Sequence, residues 1–348
     1  MKIGSFDFAH DGTFIIAELS ANHNGSLELA KETIRAAARA GANAIKLQTY
    51  RADTITLDSK NEEFIIKGTT LWDDQNLYAL YEKAYTPWEW HAELFATAKE
   101  ENILCFSSPF DISAVDFLEQ FDPPAYKIAS FEITDNALIK HAASKGKPMI
   151  ISTGVATKEE IYEAVKLCKS VGNEAIILLQ CTSAYPAPLE DANLVMIPDL
   201  AQTFGVISGF SDHTLGIVAP IVAVTLGARV IEKHFILDKS IPSADQAFSL
   251  DEAELMQMVN AVRSAEKLLG KVDYAMSEKR EHNRRFCRSL YVSQAIKKGD
   301  IFTSDNIKSV RPSNGLHPKY LEDILGKRAC CDLDFATPMQ FEYVQYDR

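Results

Sequence analysis

His213, in Gly-Phe-Ser-Asp-His-Thr, and His234, in Val-Ile-Glu-Lys-His-Phe, each close an apolar run that reads as a buried strand, Gly205 to Phe210 and Ala228 to Phe235. If the two runs are neighbouring parallel strands, the two imidazoles meet at one end. Two neutral ring nitrogens there hold a divalent metal and leave most of its coordination sphere open to substrate oxygens. Such a two-histidine site binds weakly and exchanges its ion, which favours Mn²⁺, Mg²⁺ or Co²⁺ over a locked Zn²⁺. Taken singly, each histidine does no more than hydrogen-bond a neighbour, the commoner fate of a strand-end histidine.

Lys46 and Lys127 lie inside or just past apolar runs, where an unpaired ammonium is costly. Each is either paired with a nearby carboxylate, Glu18 or Glu132, or reserved for a bound anion. Ser107, Ser108, Ser130, Ser152, Thr153 and Ser211 supply further short donors at the ends of the same kind of run. Two ammoniums with that many hydroxyls suit a phosphate and a carboxylate better than one carboxylate. Phosphoenolpyruvate carries both groups.

Positioning these residues requires strands that all end on one side. Apolar runs occur at 14–17, 44–47, 103–106, 125–129, 148–151, 175–179, 205–210 and 229–235, with amphipathic helical patterns between them. Ser26 precedes a helix that stops at Gly41, and Thr157 with Glu160 spells a capping box. Ser249 with Glu252 spells another, ahead of a helix that ends at Gly270. Eight strand–helix units in about 270 residues predict a (β/α)8 TIM barrel. The rival, an open doubly wound sheet, lacks its Gly-x-Gly-x-x-Gly turn after the first strand. Glu18, Lys46 with Gln48, Ser107 with Ser108, Lys127 with Ser130 and Glu132, and Ser152 with Thr153 terminate the first five runs. Ser183 with Tyr185, Ser211 with Asp212 and His213, and Glu232 with Lys233 and His234 terminate the rest. Barrel enzymes carry their chemistry at these strand ends, so a catalytic mouth is expected here. Glu18, Lys46, Lys127, Glu132 and Asp212 are its candidate catalytic residues.

The formal net charge of −12 argues against a nucleic-acid partner, and no stretch is apolar enough for a membrane span. Six cysteines without Cys-x-x-Cys spacing read as buried free thiols of a reducing cytoplasm, and the N-terminus has no apolar leader pattern. The gap between the second and third runs holds Leu71-Trp-Asp and Thr86-Pro-Trp-Glu-Trp-His. Tyr50 and Trp72 are expected to line a lid over the mouth, whereas Trp90 and Phe95 face the core. After the polar stretch Ser277–Arg285 the pattern changes to short strands and turns. The expected organisation is a barrel over 1–275, a helical linker over 276–288 and a small β-rich domain over 289–348.

These motifs carry a resemblance. Residues 16–25 (IAELSANHNG), 44–50 (AIKLQTY), 126–133 (YKIASFEI), 152–154 (STG), 209–214 (GFSDHT) and 230–235 (VIEKHF) resemble the sialic-acid-type, or nonulosonic acid, synthase family. The match runs essentially end to end. It implies a TIM barrel that condenses phosphoenolpyruvate with an amino sugar, followed by an antifreeze-like (SAF) domain. Residues 86–91, 106–111, 181–194 and 311–320 resemble the pseudaminic acid branch more than the neuraminate branch. Ser183 stands where the latter has Asn, and Ser243-Ala-Asp245 replaces its Gly-Pro-Asp.

The resemblance implies 2,4-diacetamido-2,4,6-trideoxy-L-altrose as the sugar, with N-acetylneuraminate and legionaminate synthesis as alternatives. It also implies that Glu18, Gln48, Tyr185 and Asp245 line the sugar pocket. Arg311 would reach that pocket from the other subunit of a domain-swapped homodimer. Phosphoenolpyruvate falls to Lys46, Ser107, Ser108, Lys127, Ser130, Ser152 and Ser211, and the metal to His213 and His234. Two readings of other classes compete: an aldolase forming a Schiff base at Lys127, and a non-catalytic carbohydrate-binding protein.

Overall fold

Runs of β-branched and aliphatic residues, each too short to make a helix, pair edge to edge until no edge remains. The result is β1 (Phe14–Glu18), β2 (Ala44–Thr49), β3 (Leu104–Pro109), β4 (Tyr126–Ile128), β5 (Met149–Ser152), β6 (Ile176–Cys181), β7 (Ile207–Asp212) and β8 (Val230–His234). They form a closed parallel barrel in chain order, and β8 returns to pair with β1. The structure, a computed structural model, describes residues 1–68 and 72–346; it divides into two compact units, Met1–Gly270 and Lys271–Arg348.

Successive side chains of each strand alternate between the lumen and the helix layer. Phe14, Ile16, Ala44, Phe106, Ala125, Ile150, Ile177, Leu179 and Val230 fill the lumen. Ile15, Ala17, Ile45, Leu47, Cys105, Phe210 and Ile231 point outward into the core beneath the helices. Gly209 is required in the lumen, because a Cβ there would fall 2.4 Å from the carbonyl oxygen of Val230. An N-terminal hairpin, Lys2–Ile3 with Phe6–Asp7, sets Phe6 against Phe14 at 4.9 Å between ring centroids and closes the end opposite the mouth.

Helices α1 (Leu27–Arg39), α2 (His91–Glu100), α3 (Ile112–Leu118), α4 (Asn136–Ser144), α5 (Lys158–Ser170), α6 (Met196–Phe204), α7 (Val218–Thr225) and α8 (Glu252–Leu269) follow the strands in turn. Ser26 caps α1, and the Thr157–Glu160 box caps α5, as their spacing predicts. Two local expectations are corrected. The box ahead of α8 is Asp251 with Glu254; Ser249 is buried and its hydroxyl is already engaged by Asn22 and the Asp245 carbonyl. Gly205 does not begin β7. It caps α6 in the left-handed conformation at φ 66°, so the strand starts at Ile207.

The insertion after β2 behaves differently from the lid expectation at Tyr50, which is buried between Tyr81 and Phe110. Its ring is large and apolar enough to be claimed by the packing beneath the loop. Trp90 and Phe95 pack against the core as expected. Leu71 lies outside the described residues.

In the second unit, Ser277 caps a short helix, Glu278–Arg284. β9 (Ser289–Val292) pairs antiparallel with β10 (Ile307–Val310), and β11 (Arg328–Ala329) with β12 (Val344–Gln345). Leu290, Val292, Ile296, Phe302 and Met339 form the unit's own core. Cys105, Cys168 and Cys181 are buried free thiols, but Cys287, Cys330 and Cys331 are exposed, against the expectation that all six are buried. Among the described residues no helix is long and apolar enough to cross a membrane.

Candidate active site

Continuing the lumen alternation two residues beyond its apolar layers gives the mouth. Ile16 leads to Glu18, Ala44 to Lys46, Phe106 to Ser108, Ala125 to Lys127, Ile150 to Ser152, Gly209 to Ser211 and Val230 to Glu232 and then His234. The same period turns Ser107 and Asp212 outward, which corrects two expected site residues. Ser107 hydrogen-bonds Thr49 Oγ1 at 2.6 Å, and Thr49 in turn meets His91 of α2 at 2.8 Å. Asp212 pairs with Lys233 on the helix side of the sheet. A strand end contains residues of both faces, and Ser107 and Asp212 belong to the wrong one.

Within the mouth the lysines are paired and aimed at the lumen at once. Lys46 Nζ lies 2.7 Å from Glu18 Oε2, 3.7 Å from Glu232 Oε1 and 3.1 Å from Ser108 Oγ. Lys127 Nζ lies 3.4 Å from Glu232 Oε1, which also accepts from Ser211 Oγ at 3.2 Å. Glu132 makes no such ion pair with Lys127. Burial pushes Glu18 up, partly opposed by Lys46. Burial also pushes Glu232 up, but the ammoniums of Lys127 and Lys46 outweigh it and hold this carboxyl at about 2. Lys127 is lowered by burial, whereas Glu18 and Glu232 keep Lys46 above the ordinary lysine value despite burial. Glu232 is therefore the hub of the array. Its assignment was missed, although it sits two residues before His234 and so shares a face with it.

Hydroxyls complete the array. Ser152 Oγ is buried without a hydrogen-bond partner and points into the lumen. Ser183 Oγ donates to Ser130 Oγ at 3.0 Å, and the two crowd Gly154 so closely that a Cβ there would fall 2.6 Å and 2.9 Å from them. Gln48 Nε2 donates to Glu18 Oε1 at 2.9 Å and to Ser20 Oγ at 3.0 Å. An orphaned hydroxyl and two buried ammoniums facing one space form an anion site in chemical character.

The histidines meet as expected, with ring centroids 5.3 Å apart. His213 Nδ1 donates to the Thr182 carbonyl at 2.9 Å, which leaves Nε2 as its lone-pair nitrogen. Burial, reinforced by His234, lowers His213 to about 3, so the ring is neutral near pH 7. His234 Nδ1 lies 3.4 Å from Asp245 Oδ2. The loop bearing Asp245 is tied down through Asn22, whose Nδ2 donates to the Phe235 carbonyl at 2.9 Å and to Ser249 Oγ at 2.8 Å. His213, neutral and oriented by its Nδ1–H bond, beside His234, which faces the Asp245 carboxylate, makes a nitrogen donor pair of the kind an exchangeable divalent cation needs. No cluster of three or more His, Cys, Asp or Glu suited to a metal occurs among the described residues.

Tyr185 and Phe248 wall this pair. Tyr185 lies 4.4 Å from His213, and Phe248 lies 4.8 Å from His234. Trp72 leans on Tyr185 at 5.7 Å. A cavity of about 630 Å³, lined by Trp72, Gln75, Lys239, Ser243 and Gln246, adjoins the same wall. Arg311 is exposed in the second unit.

The NeuB family profile matches residues 33–274 and the SAF domain profile residues 288–338. The chain is 54% identical to the pseudaminic acid synthase of Campylobacter jejuni subsp. jejuni serotype O:23/36 (strain 81-176), over 98% of each chain. It is 49% identical to the pseudaminic acid synthase of Helicobacter pylori, over 95% of this chain and 97% of that one. The crystal structure of N-acetylneuraminic acid (sialic acid) synthetase from Leptospira borgpetersenii serovar Hardjo-bovis, in complex with citrate, matches with a TM-score of 0.72. Its sequence identity is 32%, and the match covers 81% of this chain and 94% of that one. With a closed barrel, a lysine-and-hydroxyl mouth and a separate β-rich unit already in place, the chain belongs to the NeuB family and carries an SAF domain after its barrel.

Proposed function

We propose that this protein is an alkyl-transferring synthase that condenses phosphoenolpyruvate with 2,4-diacetamido-2,4,6-trideoxy-L-altrose, yielding pseudaminic acid and phosphate. The observation that carries the choice of sugar is identity. It is 54% to a pseudaminic acid synthase over nearly the whole of both chains, against 32% to the neuraminic acid synthetase.

The mouth suits this chemistry. Lys46 and Lys127, with Ser108, Ser130, Ser152 and Ser211, bind the phosphate and carboxylate of phosphoenolpyruvate and present its C3 to the open-chain sugar aldehyde. Glu18, Gln48, Tyr185 and Asp245 orient the sugar. A divalent cation (Mn²⁺, Mg²⁺ or Co²⁺) held by His213 and His234 would act as a Lewis acid on the aldehyde oxygen. Forming the carbon–carbon bond leaves positive charge on C2 of the former phosphoenolpyruvate. The substrate's own carboxylate and phosphate, with Glu132 nearby, stabilise that charge. Water adds at C2, and the tetrahedral intermediate expels phosphate by C–O cleavage. No covalent enzyme intermediate is needed; positioning and fixed charge supply the rate.

The same reading includes a domain-swapped homodimer in which Arg311 serves the sugar. It also includes a cytoplasmic location, which six free cysteines suit. A phosphate-release assay across N-acetylmannosamine and the two diacetamido-trideoxy sugars, the L-altrose sugar and the legionaminate precursor, tests the substrate. The L-altrose sugar should give the highest kcat/KM, and a higher value for either competitor would overturn the assignment.

A further inference from the structure

The outward face of the β7–β8 ladder begins as an apolar surface and ends in a sealed ion pair. Phe210 pairs with Ile231 in register, and one step on along the same face Asp212 pairs with Lys233. Both charged side chains have no solvent exposure, with Lys233 Nζ 2.7 Å from Asp212 Oδ2. Lys233 also donates to the Thr214 carbonyl, and the Thr214 N–H donates to Asp212 Oδ1 at 2.8 Å. The pair therefore ties β8 both to β7 and to the chain beyond His213.

A buried ion pair seldom stabilises a fold better than packed apolar residues would, so stability alone does not account for it here. Its place suggests another role. Asp212 is followed directly by His213, and Lys233 directly by His234. We infer that the Lys233–Asp212 pair is a positioning device that sets the separation of His213 and His234, and with it the affinity of the mouth for a divalent cation. The inference rests on the metal reading given under Proposed function. Neither residue touches substrate; both act through the strand ends they join.

The test is direct Mn²⁺ binding to the full-length protein, read from the electron paramagnetic resonance signal of free Mn²⁺. Lys233→Met, and the double replacement Asp212→Leu with Lys233→Met, should each weaken Mn²⁺ binding by about tenfold or more, as loss of groups that orient metal ligands typically does. Lys233→Arg should recover most of the affinity. The thermal shift produced by phosphoenolpyruvate without metal should be preserved in all three. The double replacement leaves no unpaired buried charge and carries the test if Lys233→Met fails to fold. Leu200→Ala, a buried core change elsewhere in the barrel, controls for simple destabilisation. Wild-type Mn²⁺ affinity in the folded double variant would overturn the inference. So would a loss no greater than that in Leu200→Ala at matched stability. If His213→Ala with His234→Ala binds Mn²⁺ as the wild type does, the metal reading itself fails, and the positioning role falls with it.

Discussion

The Glu232 carboxylate stands 3.4 Å from the Lys127 ammonium, and neither side chain is more than about a twentieth exposed. The lysine is thus neutralised before any substrate arrives. An incoming anion competes with Glu232 for a charge already held in place. Removing one partner of such a pair leaves the other buried and unpaired, typically at a cost of about 3–5 kcal/mol.

Glu232→Gln should therefore unfold at a clearly lower temperature than the wild type when no ligand is present. Phosphoenolpyruvate supplies the missing negative charge, so its stabilising shift should be larger in the variant than in the wild type. Differential scanning fluorimetry with and without the ligand reads both quantities. An equal or smaller shift in Glu232→Gln would show that the carboxylate does not compete for the anion site.

Glu132 gives a pH signature. Burial raises its carboxyl to about 7, and Oε2 is buried without a hydrogen-bond partner. A raised folded value means that the stability it confers is fully present below its ordinary value of 4.5 and is lost as pH rises through about 7. Glu132→Gln should thus match the wild-type melting temperature at pH 4 and exceed it at pH 8. If the ionised carboxylate stabilises the charge at C2, wild-type kcat should rise with pH through the same region. The variant should be slow and lack that limb; a wild-type pH profile in Glu132→Gln would remove the residue from the chemistry.

Metal removal tests the histidine pair. Treatment with a chelator should abolish activity and added Mn²⁺ should restore it, while His213→Ala and His234→Ala each lose about a hundredfold or more even with Mn²⁺ present. Full turnover by a metal-stripped preparation would end the metal role.

Arg311→Ala should raise the KM for the sugar far more than that for phosphoenolpyruvate, because the resemblance implies a contact with the sugar alone. Steady-state kinetics with each substrate varied in turn decides it, and an unchanged sugar KM would take Arg311 out of the pocket.

Much of this was legible one residue after another. Apolar runs of strand length, separated by amphipathic segments and bounded by caps such as Thr157–Glu160, are local signals. They follow from backbone periodicity and need no partner to be read. The meeting of His213 with His234 followed from two strands adjacent in order. Face and pairing were not local. A shift of one residue carries a side chain from the lumen to the helix layer, and closure of the barrel selects which it is. That choice sent Asp212 to Lys233 and Ser107 to Thr49. It brought Glu232 of β8 between Lys46 of β2 and Lys127 of β4, residues far apart in the chain. Packing likewise took Tyr50 from the rim into the interior, since a large ring is buried wherever neighbours can enclose it. The order of residues thus announced the barrel and the kind of chemistry, while three-dimensional closure determined which charges face one another across the mouth.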